Sequence, residues 1–379
     1  MRIAFVNHFC AHYRVKTFEI IAANRDVDFM FFSGGTEWYW QKEHGVRAGN
    51  FKYEYLPGVQ VGGTRLVPSL VSRLLRGNYD VFIKCINGRF ALPITFLISR
   101  LLGRPFILWT GVWMRLRSVG HQIAYPLTRY IYRHSDAVVV YGEHVKRFLV
   151  EEGVPPERIF IAGNAVDNDL YSGHVSDEEK TALRQSLAIG PDQKIVLYLG
   201  RLEDGKGLEY LLQAFASAAV GDAVLVLAGT GSLKAELIKI VEQLGITERV
   251  RFPGYVRVED TVKYYASACV YVLPSVTTRL FKEPWGLVVN EAFNQSLPVI
   301  ASDCVGAAAG GFLRDGENGM VVPERNVDAL RAAIEKVIMD DELRTSMAAA
   351  ARTAIRTWDQ KAMAQGFLDA IEYVSSKRR

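Results

Sequence analysis

KIVLYLGRLEDGKGLEY, residues 194–210, is an apolar, partly β-branched run followed by a glycine-rich turn and the start of a helical pattern. A strand buried on both faces has such a continuous apolar run, and a helix directly after it is typical of a parallel sheet. The alternation recurs along the chain in two series. The first comprises 2–7, 27–33, 81–85, 106–111, 137–142 and 159–164, and the second 194–201, 223–231, 250–256, 270–275, 298–303 and 319–323. The sequence therefore predicts an α/β fold of two tandem Rossmann-like domains with parallel sheets.

The size of the chain agrees with two domains. It has 379 residues, 49% of them apolar, whereas single cores usually stop growing at about 250–300 residues. The break between the two series is polar and turn-rich, and ends at a predicted helix cap, Ser176 with Glu179 three residues later. We expect an N-terminal domain at 1–165, a linker near 165–175, a C-terminal domain at 176–356, and a last helix at 357–379 that packs back toward the first domain. Ligands of such sheets bind outside the carboxyl ends of the strands, so we expect the active site between the two domains.

Neither the cysteines nor the apolar runs indicate export or a membrane span. The four cysteines show no C-x-x-C pairing, which favours reduced thiols in the cytosol over disulfides or a zinc site. Only five residues separate Arg2 from His8, too few for a signal peptide. The run 91–99 ends at Arg100, short of the ~18 residues of a spanning helix. We expect a cytoplasmic protein, soluble or attached to the inner membrane surface.

Positive charge is concentrated in the first half of the chain. Residues 60–150 contain thirteen Lys or Arg but three Asp or Glu, although the net charge of the whole chain is only +4. Interleaved with aromatic residues, these cations suit an anionic membrane surface or a phosphate-bearing substrate. The alternative is a set of solvated, arginine-rich helix faces. We expect no nucleic-acid partner, because no recognition motif is present.

Two glycine-rich turns are candidates for a phosphate site. Gly200 and Arg201 end the opening strand, and Lys206 is flanked by Gly205 and Gly207 where the next helix begins. Glycine lets backbone approach an anion, a helix N-terminus favours negative charge, and two cations would neutralise a diphosphate. The turn AGTGS at the next strand end repeats the pattern with its two glycines, Gly229 and Gly231. A plain surface turn remains the alternative. The turn after the first strand has no glycine, so a dinucleotide fingerprint is absent and hydride transfer is disfavoured.

The stretch KEPWGLVVNEAF, residues 282–293, places Glu283 and Glu291 eight residues apart. A helix beginning near Gly286 would present three backbone amides, those of Gly286, Leu287 and Val288. If most of the span were helical, it would reach roughly 12 Å, enough for the two carboxylates to flank a diphosphate and accept hydrogen bonds from a sugar on either side. Two surface glutamates are the alternative, which the apolar neighbours disfavour.

Together the E-x7-E stretch, the G-R…K-G turn, the F-P-G-Y strand end and the final N-G-x-V-V-P resemble the retaining glycosyltransferases of family 4, with GT-B architecture. The resemblance implies transfer of a sugar from a UDP- or GDP-sugar to a glycan or lipid-linked acceptor, with retained anomeric configuration and no metal or other cofactor. It implies that Glu283 binds a donor-sugar hydroxyl, Glu291 the ribose, and Arg201 with Lys206 the diphosphate. It implies that Gly286, Leu287 and Val288 complete the phosphate site and that Tyr255 and Val256 lie beside the nucleobase.

The chain departs from the family after the strand at 106–111, where the family has a histidine and this chain has Thr110, Gly111, Val112 and Trp113. This leaves the donor's hydroxyl pattern open, with His8, His12 and His121 as candidate replacements. For the acceptor we expect the loop after the first strand, together with one aromatic residue: His12, Tyr13, Arg14, Lys16 and Trp113.

The two D-x-D strings, 26–28 and 167–169, are not expected to bind metal. A nucleotide-sugar isomerase of the 2-epimerase kind and a non-catalytic nucleotide-sugar-binding module remain alternatives.

Overall fold

The computed structural model describes residues 1–33 and 49–377. The chain divides into two compact units. Unit 1 is Met1–Ala165 together with Asp359–Arg379, and unit 2 is Val166–Trp358. The last two residues of the predicted segment 357–379 lie outside the described residues.

Unit 1 contains, within its described residues, a parallel sheet of seven strands. These are β1 (Arg2–Asn7), β2 (Asp26–Phe31), β3 (Tyr53–Tyr55), β6 (Val81–Cys85), β7 (Phe106–Thr110), β8 (Ala137–Val140) and β9 (Ile159–Ile161), and a separate hairpin has β4 (Val59–Val61) and β5 (Thr64–Leu66). The order across the sheet is β3-β2-β1-β6-β7-β8-β9. The strands that follow β1 therefore lie on one side of the sheet, and the strands that follow β6 lie on the other.

Helices cover the sheet of unit 1 because its strands are apolar on both faces. They are α1 (Val15–Asn24), α2 (Pro68–Arg76), α3 (Ala91–Leu101), α4 (Val119–His134), α5 (Glu143–Glu151) and α15 (Gln360–Ser376). The last helix packs against α1, β8 and β9. Its Phe367 ring lies 5.5 Å from that of Phe5 and 5.2 Å from that of Trp109, centroid to centroid. The C-terminal helix is thus part of the core of unit 1.

Unit 2 contains a second parallel sheet, of six strands in the described part of the chain. Its strands are β10 (Ile195–Leu199), β11 (Val224–Ala228), β12 (Val250–Gly254), β13 (Val270–Leu273), β14 (Val299–Ser302) and β15 (Gly319–Val322). The order is β12-β11-β10-β13-β14-β15. Again the chain builds outward in opposite directions, here from β10 and from β13.

The helices of unit 2 precede the first of these strands, connect the strands and follow the last of them. They are α6 (Asn168–Tyr171), α7 (Asp177–Ser186), α8 (Leu208–Ser217), α9 (Lys234–Gln243), α10 (Val258–Ser267), α11 (Leu287–Asn294), α12 (Gly306–Ala309), α13 (Val327–Met339) and α14 (Asp341–Ile355). The predicted cap of α7 is confirmed, because the Ser176 hydroxyl accepts from the Glu179 amide and the Glu179 carboxylate accepts from the Ser176 amide.

The predicted fold class is confirmed: each unit is a Rossmann-like α/β domain with a parallel sheet, and all twelve predicted apolar runs contain strands. The sequence analysis missed β3 and the hairpin β4–β5. Each of these strands is only three residues long and none of their residues is fully buried, so they lack a buried apolar run. Among the described residues, no helix combines the length and the apolar character that crossing a membrane requires.

Candidate active site

The candidate site of unit 2 lies at the carboxyl ends of β10 and β13. These two strands are neighbours in the sheet, and the strands that follow each of them lie on opposite sides. At such a point the two strand-end loops separate and leave a crevice, which is where open α/β sheets bind ligands. Lys206 is in the loop after β10, and Glu283 is in the loop after β13. The topology therefore brings two residues far apart in sequence to the same crevice.

Lys206 and Glu283 form an ion pair that is largely removed from water. The Lys206 Nζ lies 2.5 Å from the Glu283 Oε2, and the two side chains are 13% and 10% exposed. The Ser275 hydroxyl also donates to this oxygen, at 3.2 Å. The ammonium lies 5.0 Å from the centre of the Phe281 ring. Hydrogen bonds and an aromatic face thus hold both charges where solvent screening is weak.

A glycine allows the loop after β10 to pass close to the end of β13. Gly207 has φ of +65° and forms the N-cap of α8. A Cβ atom at this position would lie 2.0 Å from the Pro274 carbonyl oxygen. The neighbouring Gly205 carbonyl accepts a hydrogen bond from the Val276 amide at 2.9 Å. Only glycine fits both this close approach and the left-handed backbone, so Gly207 fixes the position of Lys206.

The N-cap of α11 lies three residues after Glu283. Gly286 is its N-cap, with φ of +89°. The amides of the first helical turn have no acceptors within the helix and give this end partial positive charge. The helix begins only at Leu287, so the eight-residue spacing to Glu291 is not helical throughout. The helical rise from Leu287 to Glu291 is about 6 Å, and a loop supplies the rest of the separation.

Glu291 is held by two tyrosines. The Tyr265 hydroxyl donates to its Oε2 at 2.6 Å, and the Tyr171 hydroxyl also hydrogen-bonds to this carboxylate. Burial raises the pKa of Glu291 above its ordinary value, while the two hydroxyls act in the opposite direction. Tyr265 is 1% exposed and Tyr171 5%, so neither hydroxyl can move away easily. The carboxylate is therefore fixed in place before any ligand arrives.

The loops after β10 and β11 are joined through the predicted glycines. A Cβ on Gly229 would lie 1.8 Å from the Gly200 carbonyl oxygen, and one on Gly231 would lie 2.1 Å from that of Leu202. Glu203 adds a link, since it accepts from the Ser232 amide at 3.0 Å and from the Ser232 hydroxyl at 2.6 Å. These bonds hold the pKa of Glu203 below its ordinary value. Arg201, which is exposed, lies between these two attachments.

Tyr255 and Val256 follow the edge strand β12, two strands away from β10. Tyr255 is 40% exposed. Their loop is connected to the one after β11, because the Gly229 amide donates to the Gly254 carbonyl at 2.7 Å. The loops after β10, β11 and β12 therefore carry the predicted donor residues that do not follow β13, all at the carboxyl edge of the sheet.

Two family models match the chain. The model described as Glycosyl transferases group 1 matches residues 179–354, and the model Glycosyltransferase Family 4 matches residues 22–170. The first match lies within unit 2, and the second covers most of unit 1 and extends to residue 170, just past the boundary at Ala165. The chain belongs to the family 4-like glycosyltransferases.

Relatives and solved structures agree with this family. An uncharacterized glycosyltransferase of Methanocaldococcus jannaschii is 32% identical over 202 residues, which is 52% of this chain and 50% of that protein. The lipopolysaccharide core biosynthesis glycosyltransferase LpsE of Rhizobium meliloti is 31% identical over 50% of this chain and 52% of its own length. The chain thus spans about half the length of these two relatives. The crystal structure of Anabaena HepE in complex with UDP-glucose has the same fold, with a TM-score of 0.76 and 20% identity over 99% of this chain and 100% of that chain.

The predicted acceptor residues of unit 1 come from two places: four of them lie between the end of β1 and the first turn of α1, and Trp113 follows β7. His12, Tyr13, Lys16 and Trp113 are partly exposed. Arg14 is different, because it is 4% exposed and its guanidinium donates to Asn164 and to Tyr141. It also lies over the Trp109 ring, at 5.3 Å. Arg14 is therefore engaged inside unit 1.

The candidate replacements for the family histidine have varied surroundings. The His121 Nδ1 lies 2.6 Å from the hydroxyl of Ser118, which caps α4. The His8 ring packs against Phe9 and Phe32. His12 lies edge-on to Tyr13. These contacts do not single out any of the three as the replacement.

Sequence analysis missed the partners that fix the site. Tyr265 and Tyr171 come from the helices α10 and α6, whereas Ser275 and Phe281 lie in the same loop as Glu283; no local motif marks any of the four. Lys84 of unit 1 was missed as well. It is 0% exposed and donates to the carbonyls of Cys85 and Asn87 at 2.7 and 2.6 Å, while burial lowers its pKa. It thereby fastens the loop after β6, next to β1 in the sheet.

The D-x-D strings have structural roles in their described surroundings. Asp28 accepts from Arg2 at 2.6 Å and from Tyr79 at 2.8 Å. Asp167 caps α6 by accepting from the Asp169 amide. Within residues 1–33 and 49–377, no group of three or more His, Cys, Asp or Glu side chains could hold a metal ion.

Proposed function

We propose that this chain transfers a sugar from a UDP- or GDP-sugar to a glycan or lipid-linked acceptor, with retention of anomeric configuration and without a metal. The observation that carries the proposal is the Lys206–Glu283 pair at the β10–β13 crevice, between the N-termini of α8 and α11. A cation and two helix N-termini suit a diphosphate. A fixed carboxylate suits a sugar hydroxyl. The UDP-glucose bound by Anabaena HepE is a ligand of this chemical class.

In the proposed reaction, the bond from the anomeric carbon to the diphosphate oxygen breaks, and an acceptor hydroxyl forms the new bond on the same face of the sugar. The acceptor proton passes to the departing phosphate oxygen. Lys206, Arg201 and the first-turn amides of α11 stabilise the negative charge that grows on the diphosphate, which is the role a metal would otherwise have. Glu283 orients the sugar, and Glu291 binds the ribose. Tyr255 and Val256 lie beside the base.

The acceptor is assigned to unit 1. His12, Tyr13 and Lys16 on the loop after β1, together with Trp113 after β7, offer a cation, hydrogen-bonding groups and aromatic surface. These suit a glycan or an acceptor that carries a pyrophosphate. Arg14 is left out of this set because its guanidinium is engaged inside the unit.

Thermal shift measurements with UDP and GDP test the donor site. We expect one nucleotide to raise the Tm of the wild type by several degrees, since saturation at 100-fold Kd stabilises by about 2.7 kcal/mol. Lys206→Ala should abolish the shift, measured from the variant's own ligand-free Tm. Lys239→Ala, which removes an exposed lysine on α9, is the matched control and should keep it. A full shift in Lys206→Ala would contradict the phosphate site.

Incubation with labelled nucleotide sugars tests the reaction itself. Transfer or slow hydrolysis, unchanged by EDTA, is expected, and NMR of the product should show the donor's anomeric configuration. Loss of activity in EDTA would contradict the metal-independent mechanism. Interconversion of the free sugar nucleotide would instead identify an isomerase, and binding without turnover a non-catalytic binding module.

A further inference from the structure

Helix α4 of unit 1 carries a stripe of apolar side chains that point into solvent. Val119 is 74% exposed, Ile123 77%, Leu127 51% and Tyr130 51%. At about 100° per residue, these four positions fall within roughly 80° of the helix circumference. Tyr132 on the opposite face and Ile131 at the last turn of the helix are buried in the core. The helix is therefore anchored on one side and apolar on its open side.

The neighbouring helix α3 adds to this open surface. Leu97 is 51% exposed and Leu101 70%. The two helices are in contact, because the Phe96 ring meets the Tyr130 ring at 6.1 Å and the Arg100 guanidinium donates to the His134 carbonyl at 2.5 Å. We call the six exposed apolar residues the α3–α4 surface: Leu97, Leu101, Val119, Ile123, Leu127 and Tyr130. Single exposed apolar residues are common, but a set this concentrated marks an interaction site.

The segment that contains the α3–α4 surface is rich in positive charge. Residues 81–135, which contain both helices, have eight Lys or Arg and no Asp or Glu, and all of these cations except the buried Lys84 are at least partly exposed. The nearest acid in sequence after them, Asp136, is paired with Arg100. The carboxylate that pairs with Arg115 and Arg129 belongs to Glu152, whose side chain is only 3% exposed. Arg100, Arg104, Arg115 and Arg129 pair with the three carboxylates of Asp136, Asp80 and Glu152, so the segment keeps an excess of positive charge.

This charge decides among the possible occupants. A second copy of the chain on the same surface would bring like charges together. A negatively charged bilayer suits both the apolar side chains and the positive charge. The apolar side chains can enter the boundary between headgroups and acyl chains while the arginines remain among the phosphates. We propose that the α3–α4 surface docks on an anionic lipid bilayer, with α4 lying in the plane of the interface. The proposal does not depend on the proposed sugar transfer.

Sedimentation of the full chain with vesicles tests the docking. Vesicles of phosphatidylethanolamine with phosphatidylglycerol should bind the wild type, and vesicles of phosphatidylcholine should bind it much more weakly. Binding should fall between ionic strengths of about 0.1 M and 1 M, where the screening length drops from about 10 Å to about 3 Å. The variant Ile123→Ser/Leu127→Ser should bind at least about tenfold more weakly, because each buried aliphatic side chain contributes about 1.5–3 kcal/mol. Arg117→Gln should bind more weakly and lose part of the salt dependence.

The matched control is Met339→Ser, which removes a 65% exposed apolar side chain from unit 2 and should bind like the wild type. All replaced side chains are exposed, so circular dichroism melts should coincide and exclude misfolding as the cause. Three results would overturn the proposal: a wild type that stays in the supernatant, equal binding to phosphatidylcholine, or a vesicle-free dimer that Ile123→Ser dissociates. The last result would assign the surface to a second copy of the chain.

Discussion

At the scale of single residues, the Lys206–Glu283 pair is better explained by a ligand than by stability. Its side chains are 13% and 10% exposed, and removing one partner of such a pair costs about 3–5 kcal/mol because the other charge is left uncompensated. Apolar residues of similar volume could fill the same space at equal or greater stability. A charged pair at a strand-end crevice therefore favours a charged or hydroxyl-bearing ligand, in agreement with the proposed function.

Tyr265 is a positioning residue for Glu291, and Tyr265→Phe should show it. The variant removes the hydroxyl that lies 2.6 Å from Oε2 while keeping the ring. We expect the donor KM to rise by up to about tenfold and kcat to change little, since a hydrogen bond to a charged group contributes about 1.5–3 kcal/mol when lost. Wild type should prefer UDP to 2′,3′-dideoxy-UDP if Glu291 binds the ribose, and this preference should shrink in the variant.

The pH dependence gives this variant a second readout. Burial raises the pKa of Glu291 and the Tyr265 hydroxyl lowers it, so Tyr265→Phe should raise the pKa further. The carboxyl then protonates earlier on acidification, and donor binding should weaken from a higher pH than in wild type. The effect on folding stability has the opposite sign. A carboxyl group whose pKa is raised in the folded state contributes stability at low pH, and this contribution is lost as the pH rises through its folded-state pKa. Tyr264→Phe, one residue earlier on α10, is the control; equal effects of both variants would contradict the assignment.

At the scale of elements, Gly207 joins β10 to α8 and fixes the distance to β13. Gly207→Ala should both destabilise unit 2 and abolish the nucleotide-induced shift in Tm, because its Cβ would lie 2.0 Å from the Pro274 carbonyl. Gly221→Ala is a matched control, since Gly221 has φ of +59° with nothing near its Cβ position. The control should lose only about 1–2 kcal/mol of stability, the cost of a Cβ in the left-handed region, and should keep the shift. Identical nucleotide responses would mean that the junction does not position Lys206.

This junction also shows how far the sequence could predict the site. The glycines, Lys206 and Glu283 follow from local rules, because turns and helix N-termini have their own residue preferences. Their mutual placement depends on strand order, which a single sequence does not specify. Tyr265 was missed for the same reason: its position on α10 has the pattern of an ordinary buried core residue, and its contact with Glu291 depends on how the elements are arranged. The short strands β3, β4 and β5 were missed because they lack a buried apolar run.

At the scale of the whole molecule, the chain forms two hydrophobic cores, and the segment that forms unit 2 is inserted between the two segments that form unit 1. Unit 2 is continuous, whereas unit 1 is completed by residues from the far end of the chain. Phe367 of α15 is 0% exposed, and its ring contacts Phe5 and Trp109 of unit 1. Phe215 of α8 is likewise 0% exposed in unit 2. A nucleotide that binds only unit 2 should therefore stabilise one core and not the other.

Calorimetry of two core variants tests this organisation. Replacement of a buried Phe by Ala costs about 3–5 kcal/mol, which in units of this size lowers Tm by on the order of 10 °C. We expect Phe367→Ala to lower a transition that does not respond to the nucleotide, because it opens a cavity beneath α15 in unit 1. Phe215→Ala should lower the transition that the nucleotide raises. If both variants moved a single transition equally and the nucleotide raised it in both, the units would unfold together, and the assignment of separate stabilities would be wrong.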